Sequence, residues 1–384
     1  MTSPKRKDSV SSSSSSSSSN TVISVKNNKA AKAEPKKKSF PVVPAVGLVI
    51  LILIIVVLIL NFWIIIILFG ILIAFIIILA LWNVVSTPKD KKVLEEYEKK
   101  HCKKIEIDGH MMNYGISGEN NSTTIVILPA FSASSPILEF KAISDPLSEK
   151  YRVVIPEAHG YGFSDQTSKK RTIENIVSEL HECIRKLGIE KYYLMAHSLG
   201  GLYCLEWANQ YSDEVLGFVG IDVTVPKQDT LPEFKNEVKN ITKFCDVMNF
   251  LKALGILRLL YTTKREKALV TMDTKHKNYT KEDYDTVIRM ILTRAYNKTV
   301  QNEGNCIPES LIKVRDKKFP ENVPVLNFVK IRDPNGNIYP PWIDLHREVI
   351  TNTTHSEVVE LDGDHILQVC CRKEVLDKTK EWIN

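Results

Sequence analysis

The chain has 384 residues, 44% of them hydrophobic and 25% charged, with a formal net charge of +6. That length supports a sizeable buried core, and so small a charge excess gives no reason to expect a nucleic-acid partner. The seven cysteines are an odd, scattered set with Cys370 and Cys371 adjacent, which excludes a disulfide framework, offers no zinc spacing and suits a reducing compartment.

Residues 1–39 carry nine consecutive serines at 11–19 and then lysine-rich sequence. Such a segment cannot bury enough apolar surface to order itself, so a disordered tail is expected, with lysines able to meet anionic headgroups. Residues 40–88 contain no charge and are almost all Ile, Leu, Val, Phe or Ala. At about 1.5 Å per residue, a straight helix over 42–82 would be roughly 60 Å long, about twice a hydrocarbon core. Two spans of about twenty residues, turning near Asn61-Phe62-Trp63, are therefore expected. Nine Lys/Arg against two acids precede residue 40, and seven lysines lie between 88 and 104. Both flanks are basic, so the positive-inside rule predicts a multi-pass hairpin with residues 89–384 facing the cytosol. The sequons Asn121-Ser122-Thr123 and Asn278-Tyr279-Thr280 lean weakly towards a lumenal side.

From residue 104 onward, short apolar runs at 124–128, 153–155, 191–195 and 215–221 alternate with helical patterns at 136–150, 172–187 and 202–211. This alternation predicts a parallel sheet covered on both faces. The run Leu194-Met195-Ala196-His197-Ser198-Leu199-Gly200-Gly201 reads as a buried strand breaking sharply into a helix at Ser198. A serine hydroxyl becomes a nucleophile when a tight turn lifts it out of the backbone and a histidine takes its proton. Such a turn needs small residues two before and two after, here Ala196 and Gly200. The plainer reading is a strand-to-helix turn capped by a serine. Another apolar strand is expected at 325–331. Between 223 and 319, helical patterns at 231–252, 254–261 and 281–296 carry 19 Lys/Arg and 12 Asp/Glu. The positive charge of the chain gathers in that segment. Near the C-terminus His365 follows the apolar strand 358–361 and Gly363. His197, beside the serine, reads as packing or pocket lining.

Two further stretches complete a pattern. Ile155-Pro156-Glu157-Ala158-His159-Gly160-Tyr161-Gly162-Phe163-Ser164-Asp165 looks like the Asp-x-x-Gly-x-Gly-x-Ser turn of α/β-hydrolases, with Glu157 or Pro156 where the aspartate stands. Leu128-Pro129-Ala130-Phe131-Ser132-Ala133-Ser134 sits where that family carries a His-Gly-x loop. In this order, the motifs resemble the α/β-hydrolase superfamily, in particular its capped serine esterases, lipases and aminopeptidases, from about Lys104 to the C-terminus.

The resemblance implies an α/β fold: a mostly parallel sheet flanked by helices, with residues 223–319 as a helical cap between the sixth and seventh strands. It implies catalysis by Ser198 as nucleophile and His365 as base, with no cofactor and no metal. The acid usually follows the seventh strand, which slightly favours Asp333, although the customary Gly-x-x-Asp turn is absent there. Some relatives place it after the sixth strand, where Asp222 stands, so both remain open. Oxyanion donors would be the N–H groups of Leu199 and Phe131, since Pro129 has none. The expected reaction is hydrolysis of a small-molecule or lipid ester by a membrane-anchored enzyme. Alternatives are a small-residue aminopeptidase, an inactive hydrolase-like binding protein, and a tether whose membrane segment is its function. Epoxide hydrolase and haloalkane dehalogenase chemistry is disfavoured, because those relatives use aspartate where Ser198 stands. The cap would form an apolar acyl tunnel with a basic outer face, or would simply pack on the core.

Overall fold

The computed structural model describes residues 42–384 other than 334. The tail expected at 1–39 lies outside them. The chain divides into two compact units, Met1–Ile66 and Ile67–Asn384. In the first, residues 42–66 are helical, and the side chains of 46–66 are all exposed.

These residues begin helix α1 (Val42–His101). The turn expected at Asn61-Phe62-Trp63 does not occur, and one helix replaces the predicted pair. The backbone gives the reason. Between Pro44 and Pro88 there is no proline, and the only glycines are Gly47 and Gly70. A single asparagine costs at most about 0.7 kcal/mol of helix propensity, too little to end a helix built of Leu and Ile. Among the described residues α1 is the one helix long and apolar enough to cross a membrane. The sidedness argument from a hairpin loses its footing.

In the second unit, strands β1 (Lys103–Ile107) and β2 (His110–Ser117) form a hairpin closed by Asp108 and Gly109, both at positive φ (55° and 76°). Such angles match the twist of the flanking strands. They join β3 (Thr124–Leu128), β4 (Arg152–Pro156), β5 (Tyr192–His197), β6 (Val215–Ile221), β7 (Val325–Lys330) and β8 (Glu357–Leu361) in one sheet of order β1-β2-β4-β3-β5-β6-β7-β8. Strand β2 runs antiparallel to β1 and β4; every pairing from β4 to β8 is parallel. Parallel strands need crossovers, and these are helical. Between β3 and β4 lie α2 (Pro136–Glu139) and α3 (Lys141–Ser148); α4 (Ile173–Lys186) and α5 (Gly200–Gln210) make the next two crossovers. Four helices follow β6: α6 (Pro232–Ala253), α7 (Ile256–Thr263), α8 (Lys281–Thr293) and α9 (Lys298–Lys313). Helix α10 (Pro340–Glu348) precedes β8, and α11 (Leu367–Cys370) and α12 (Arg372–Ile383) end the chain.

Both faces of the sheet are covered, which explains why β3 is wholly buried and apolar from Ile125 to Leu128. Ile176 and Leu180 of α4 and Leu202 and Trp207 of α5 pack on one face. Ile143 and Leu147 of α3 and Val375 and Leu376 of α12 pack on the other. The α6–α9 segment has its own apolar centre, where Cys245, Leu257, Tyr261, Val287 and Ile291 gather with Ala133, Leu138 and Tyr161. It thus seats on the loops that follow β3 and β4. Helix α9 goes beyond the three helical stretches expected there.

The C-terminal part of α1 docks against this segment. Leu79 and Leu94 are buried, and the Tyr97 ring stacks on Phe163 at 5.6 Å between centroids. The guanidinium of Arg258, on α7, donates to Asn83 Oδ1 (3.0 Å), Thr87 Oγ1 (3.4 Å) and Asp90 Oδ2 (2.6 Å). Removing this buried guanidinium takes away three hydrogen bonds and leaves Asp90 to Arg289 alone, whose Nε lies 3.3 Å from its Oδ1. Arg258→Ala should therefore destabilise the full chain by about 2 kcal/mol, read as a lower thermal midpoint of the purified protein. A midpoint equal to wild type would mean that the contact contributes nothing.

Candidate active site

Strand β5 ends at His197 and α5 begins at Gly200, so the chain reverses over two residues. Ser198 sits at φ 51°, a left-handed conformation that costs an L-residue energy and persists only where its surroundings enforce it. Close packing enforces it here. A Cβ on Gly200 would lie 2.7 Å from the Pro129 carbonyl oxygen, and one on Gly201 would lie 2.3 Å from Val223 Cβ. On the strand side Ala196 is fully buried. The turn is sewn to the end of β6: Ser198 N–H donates to Ile221 O (3.4 Å) and Thr224 N–H donates to Ser198 O (2.8 Å).

Between those two anchors stands Asp222, at φ 40° and fully buried. Its Oδ2 accepts from His365 Nδ1 at 2.6 Å, and its Oδ1 accepts from Trp342 Nε1 (2.9 Å) and from the Lys330 N–H (3.1 Å). Burial by itself would raise its pKa. The hydrogen bond and charge of His365, with His346 and Trp342, outweigh burial and hold the carboxyl below its ordinary range. The imidazole of His365 remains 44% exposed. Ser198 and His365 therefore reach the same sheet edge, although no hydrogen bond joins Ser198 Oγ to the ring. Such bonds are often long before substrate binds.

Asp333, slightly favoured by the resemblance, does not join this group. It lies in an exposed turn, where its Oδ1 accepts from the N–H groups of Asn335 (2.9 Å) and Asn337 (2.8 Å). The Asn337 N–H is the main cause of its lowered pKa. Its carboxylate closes its own loop, as an aspartate in a turn commonly does.

His197 does more than pack. Its Nε2 donates to the His365 carbonyl at 2.9 Å, with the two rings 4.7 Å apart. Burial, then the neighbouring imidazole, pushes its pKa down to about 3. It stays neutral and pins the loop that carries His365. Behind that loop a Cβ on Gly363 would lie 2.8 Å from the sulfurs of both Cys370 and Cys371; only glycine lets α11 come so close.

The N–H of Leu199 opens α5, at the positive end of the helix dipole. Neither it nor the N–H of Phe131 is engaged by another group among the described residues. The loop bearing Phe131 is braced by a network that sequence reading missed. Ser132, at φ 61°, donates its N–H to the Tyr161 hydroxyl at 2.9 Å. Tyr161 (2.9 Å) and Tyr203 (2.6 Å) both donate to Glu303 Oε1 on α9. Burial raises the pKa of Glu303. No motif marks this glutamate, because its two partners come from separate segments, the loop after β4 and α5. Glu157 proves to be the residue that takes the early aspartate position of the Gly-x-Gly turn. Buried, it accepts from Asn113 Nδ2 (2.8 Å) and the Phe163 N–H (2.7 Å).

The buried neutral His197 has a measurable consequence. Unfolded, the ring takes a proton below about pH 6.5; folded, it refuses one until about pH 3. The unfolded state then binds more protons, so stability should fall as pH drops from about 6.5 towards 3. His197→Asn should flatten that slope in denaturation curves across this range. An unchanged slope would show that the histidine is not held neutral.

A sequence model described as "alpha/beta hydrolase fold" matches residues 123–245. The uncharacterized protein YbdG of Bacillus subtilis is 26% identical over 125 residues, covering 32% of this chain and 38% of that one. The chain spans between 31% and 38% of the length of three curated relatives it matches. Among solved structures, Cfl2 of Burkholderia cenocepacia superposes with a TM-score of 0.57 at 17% identity, over 74% of this chain and 95% of that one. Epoxide hydrolase VrEH1 of Vigna radiata does so with a TM-score of 0.55 at 16% identity, over 74% and 97%. At such identities the superpositions speak for the fold alone. Sheet order, the strained turn at Ser198 and the family match agree: the chain has the α/β-hydrolase fold, and residues 123–245 match that family's model.

Proposed function

We propose that this chain is a membrane-anchored serine hydrolase that cleaves carboxylic esters through an acyl-enzyme on Ser198. The observation that carries the proposal is the 2.6 Å hydrogen bond between Asp222 and His365 Nδ1, made beside the strained Ser198 turn. In the reaction Ser198 Oγ attacks the ester carbonyl while His365 Nε2 takes its proton. The tetrahedral oxyanion is held by the N–H groups of Leu199 and Phe131. The C–O bond breaks, and His365 returns the proton to the departing alcohol. Water then gives a proton to His365 and its hydroxyl to the acyl carbon; the bond from that carbon to Ser198 Oγ breaks, His365 returns the proton to Oγ, and the acid leaves. Asp222 keeps the Nδ1 proton in place and stabilises the imidazolium. The charge-free length of α1 is the anchor, and the apolar centre of α6–α9 favours esters with an extended acyl chain over acetate.

A fluorophosphonate probe should label the protein, and Ser198→Ala should abolish labelling. No labelling of the wild type would favour a binding protein on an inactive scaffold. Asp222→Asn should lower ester turnover roughly 10³–10⁴-fold, whereas Asp333→Asn should leave it within about twofold. A large loss at Asp333 with little at Asp222 would reverse the assignment. With p-nitrophenyl esters of increasing length, hydrolysis of acetate alone would reject a lipid-like substrate. Turnover of amino-acid amides with no ester cleavage would favour the aminopeptidase reading.

A further inference from the structure

Seven large apolar side chains outside α1 are exposed among the described residues, and three of them, Phe244 (44%), Val247 (53%) and Phe250 (63%), lie on α6. Spaced at i, i+3 and i+6, they share one side of the helix. The opposite side, with Cys245 buried and Ile241 half-buried, turns inward. There a Cβ on Gly304 of α9 would lie 3.1 Å from Phe131 Cζ and 3.7 Å from the Ile241 carbonyl. One helix thickness thus separates the loop of Phe131 from an exposed apolar stripe, of which, among the described residues, only the Phe244 ring also meets a neighbouring ring, edge-on to Tyr296 at 5.6 Å. Of the polar side chains on this side, Asp246 turns aside to accept from Gln301 Nε2 (3.1 Å), while Asn240 and Lys243, one turn before Phe244 and Val247, are exposed, the lysine with a stem long enough to carry its ammonium outward.

The depth of this stripe can be read from α1. At the turn after α6, Gly255 (φ 75°) presses on the α1 backbone so closely that a Cβ there would lie 2.2 Å from the Leu79 carbonyl oxygen. The side chain of Asn83 donates to the Lys252 carbonyl at 2.9 Å. Leu79 lies about 15 Å of helix before Lys89, the first charge after the apolar run. The headgroup layer of one leaflet is roughly 5–8 Å thick. With Lys89 at the headgroups, Leu79 and the turn against it stand at the level of acyl chains. The fork of Arg258 on Asp90, one turn further along α7, then falls near the interface.

We propose that the Phe244, Val247 and Phe250 face of α6 is immersed in the hydrocarbon of the same leaflet as the C-terminal end of the apolar stretch of α1. The partner of this surface is the acyl chains of the bilayer. This inference rests on the reading of α1 as a membrane helix. An ester dissolved in the leaflet would then meet the helix whose inner side abuts the Phe131 loop.

The test uses the full chain in phosphatidylcholine vesicles, with p-benzoylphenylalanine placed singly at Phe250, Val247, Phe75 and Ile338. Phe75 is 48% exposed on α1 and Ile338 is 64% exposed in the loop before α10. After irradiation, lipid adducts are counted by intact mass. The proposal expects adducts at 75, 247 and 250, at least tenfold above those at 338. Adducts at 75 but not at 247 and 250 would overturn it while leaving α1 in the membrane. Absence at all four positions would overturn the membrane reading itself. Equal labelling at 338 would show indiscriminate lipid contact and overturn the proposal as well.

Discussion

A single buried carboxylate organises the candidate site. Taking Asp222 out of water costs several kcal/mol unless donors replace its hydration, and three do so: the ring of His365, the indole of Trp342 and the N–H of Lys330. Those donors come from the loop after β8, from α10 and from the end of β7. The backbone N–H of Asp222 also donates to Phe328 O at 2.7 Å. One side chain therefore requires β6, β7, the β7–β8 connection and the C-terminal loop to be in register together. Displacing any of those that donate would take a donor from a charge held in the interior.

Around that carboxylate, apolar closeness does the positioning. The glycines at 200, 201 and 363 stand where a Cβ would enter backbone, a valine side chain or two sulfurs. His197 adds direction by holding the carbonyl of His365. The Phe131 loop is governed from the other side, through Tyr161 and Glu303 on α9. The α6–α9 segment is thereby coupled to the loop beside Ser198, and through Arg258 to α1. A chain of packed elements runs from the apolar helix to the strained turn, each link a named contact.

Much of this was legible in the residue order. Period and composition placed β3 to β8 and the helices between them, because strands buried on both faces must be apolar throughout. Ser198 and His365 stood out by small neighbours, a sharp strand-to-helix change and a glycine. Which aspartate meets His365 was not legible. Asp222 and Asp333 both follow apolar strands, and only the position of α10 sends an indole to one while the other folds onto Asn335 and Asn337. Glu303 and the role of His197 were equally hidden, since their partners are distant in sequence. The expected hairpin at 61–63 failed for a local reason: bilayer arithmetic asked for a turn that the backbone, lacking proline or glycine there, does not make.

Local chemistry by itself determined the α/β alternation, the nucleophile-type turn, the charge-free stretch and the basic segment after β6. These depend on the spacing of apolar, small and charged residues along the chain, and spacing is written in the order of residues. Tertiary structure alone decided which aspartate meets His365, what braces the Phe131 loop, and how the α6 turn meets Leu79. Each of those is a contact between segments far apart in the chain. Its energy exists only once the sheet has brought them within hydrogen-bonding or van der Waals range.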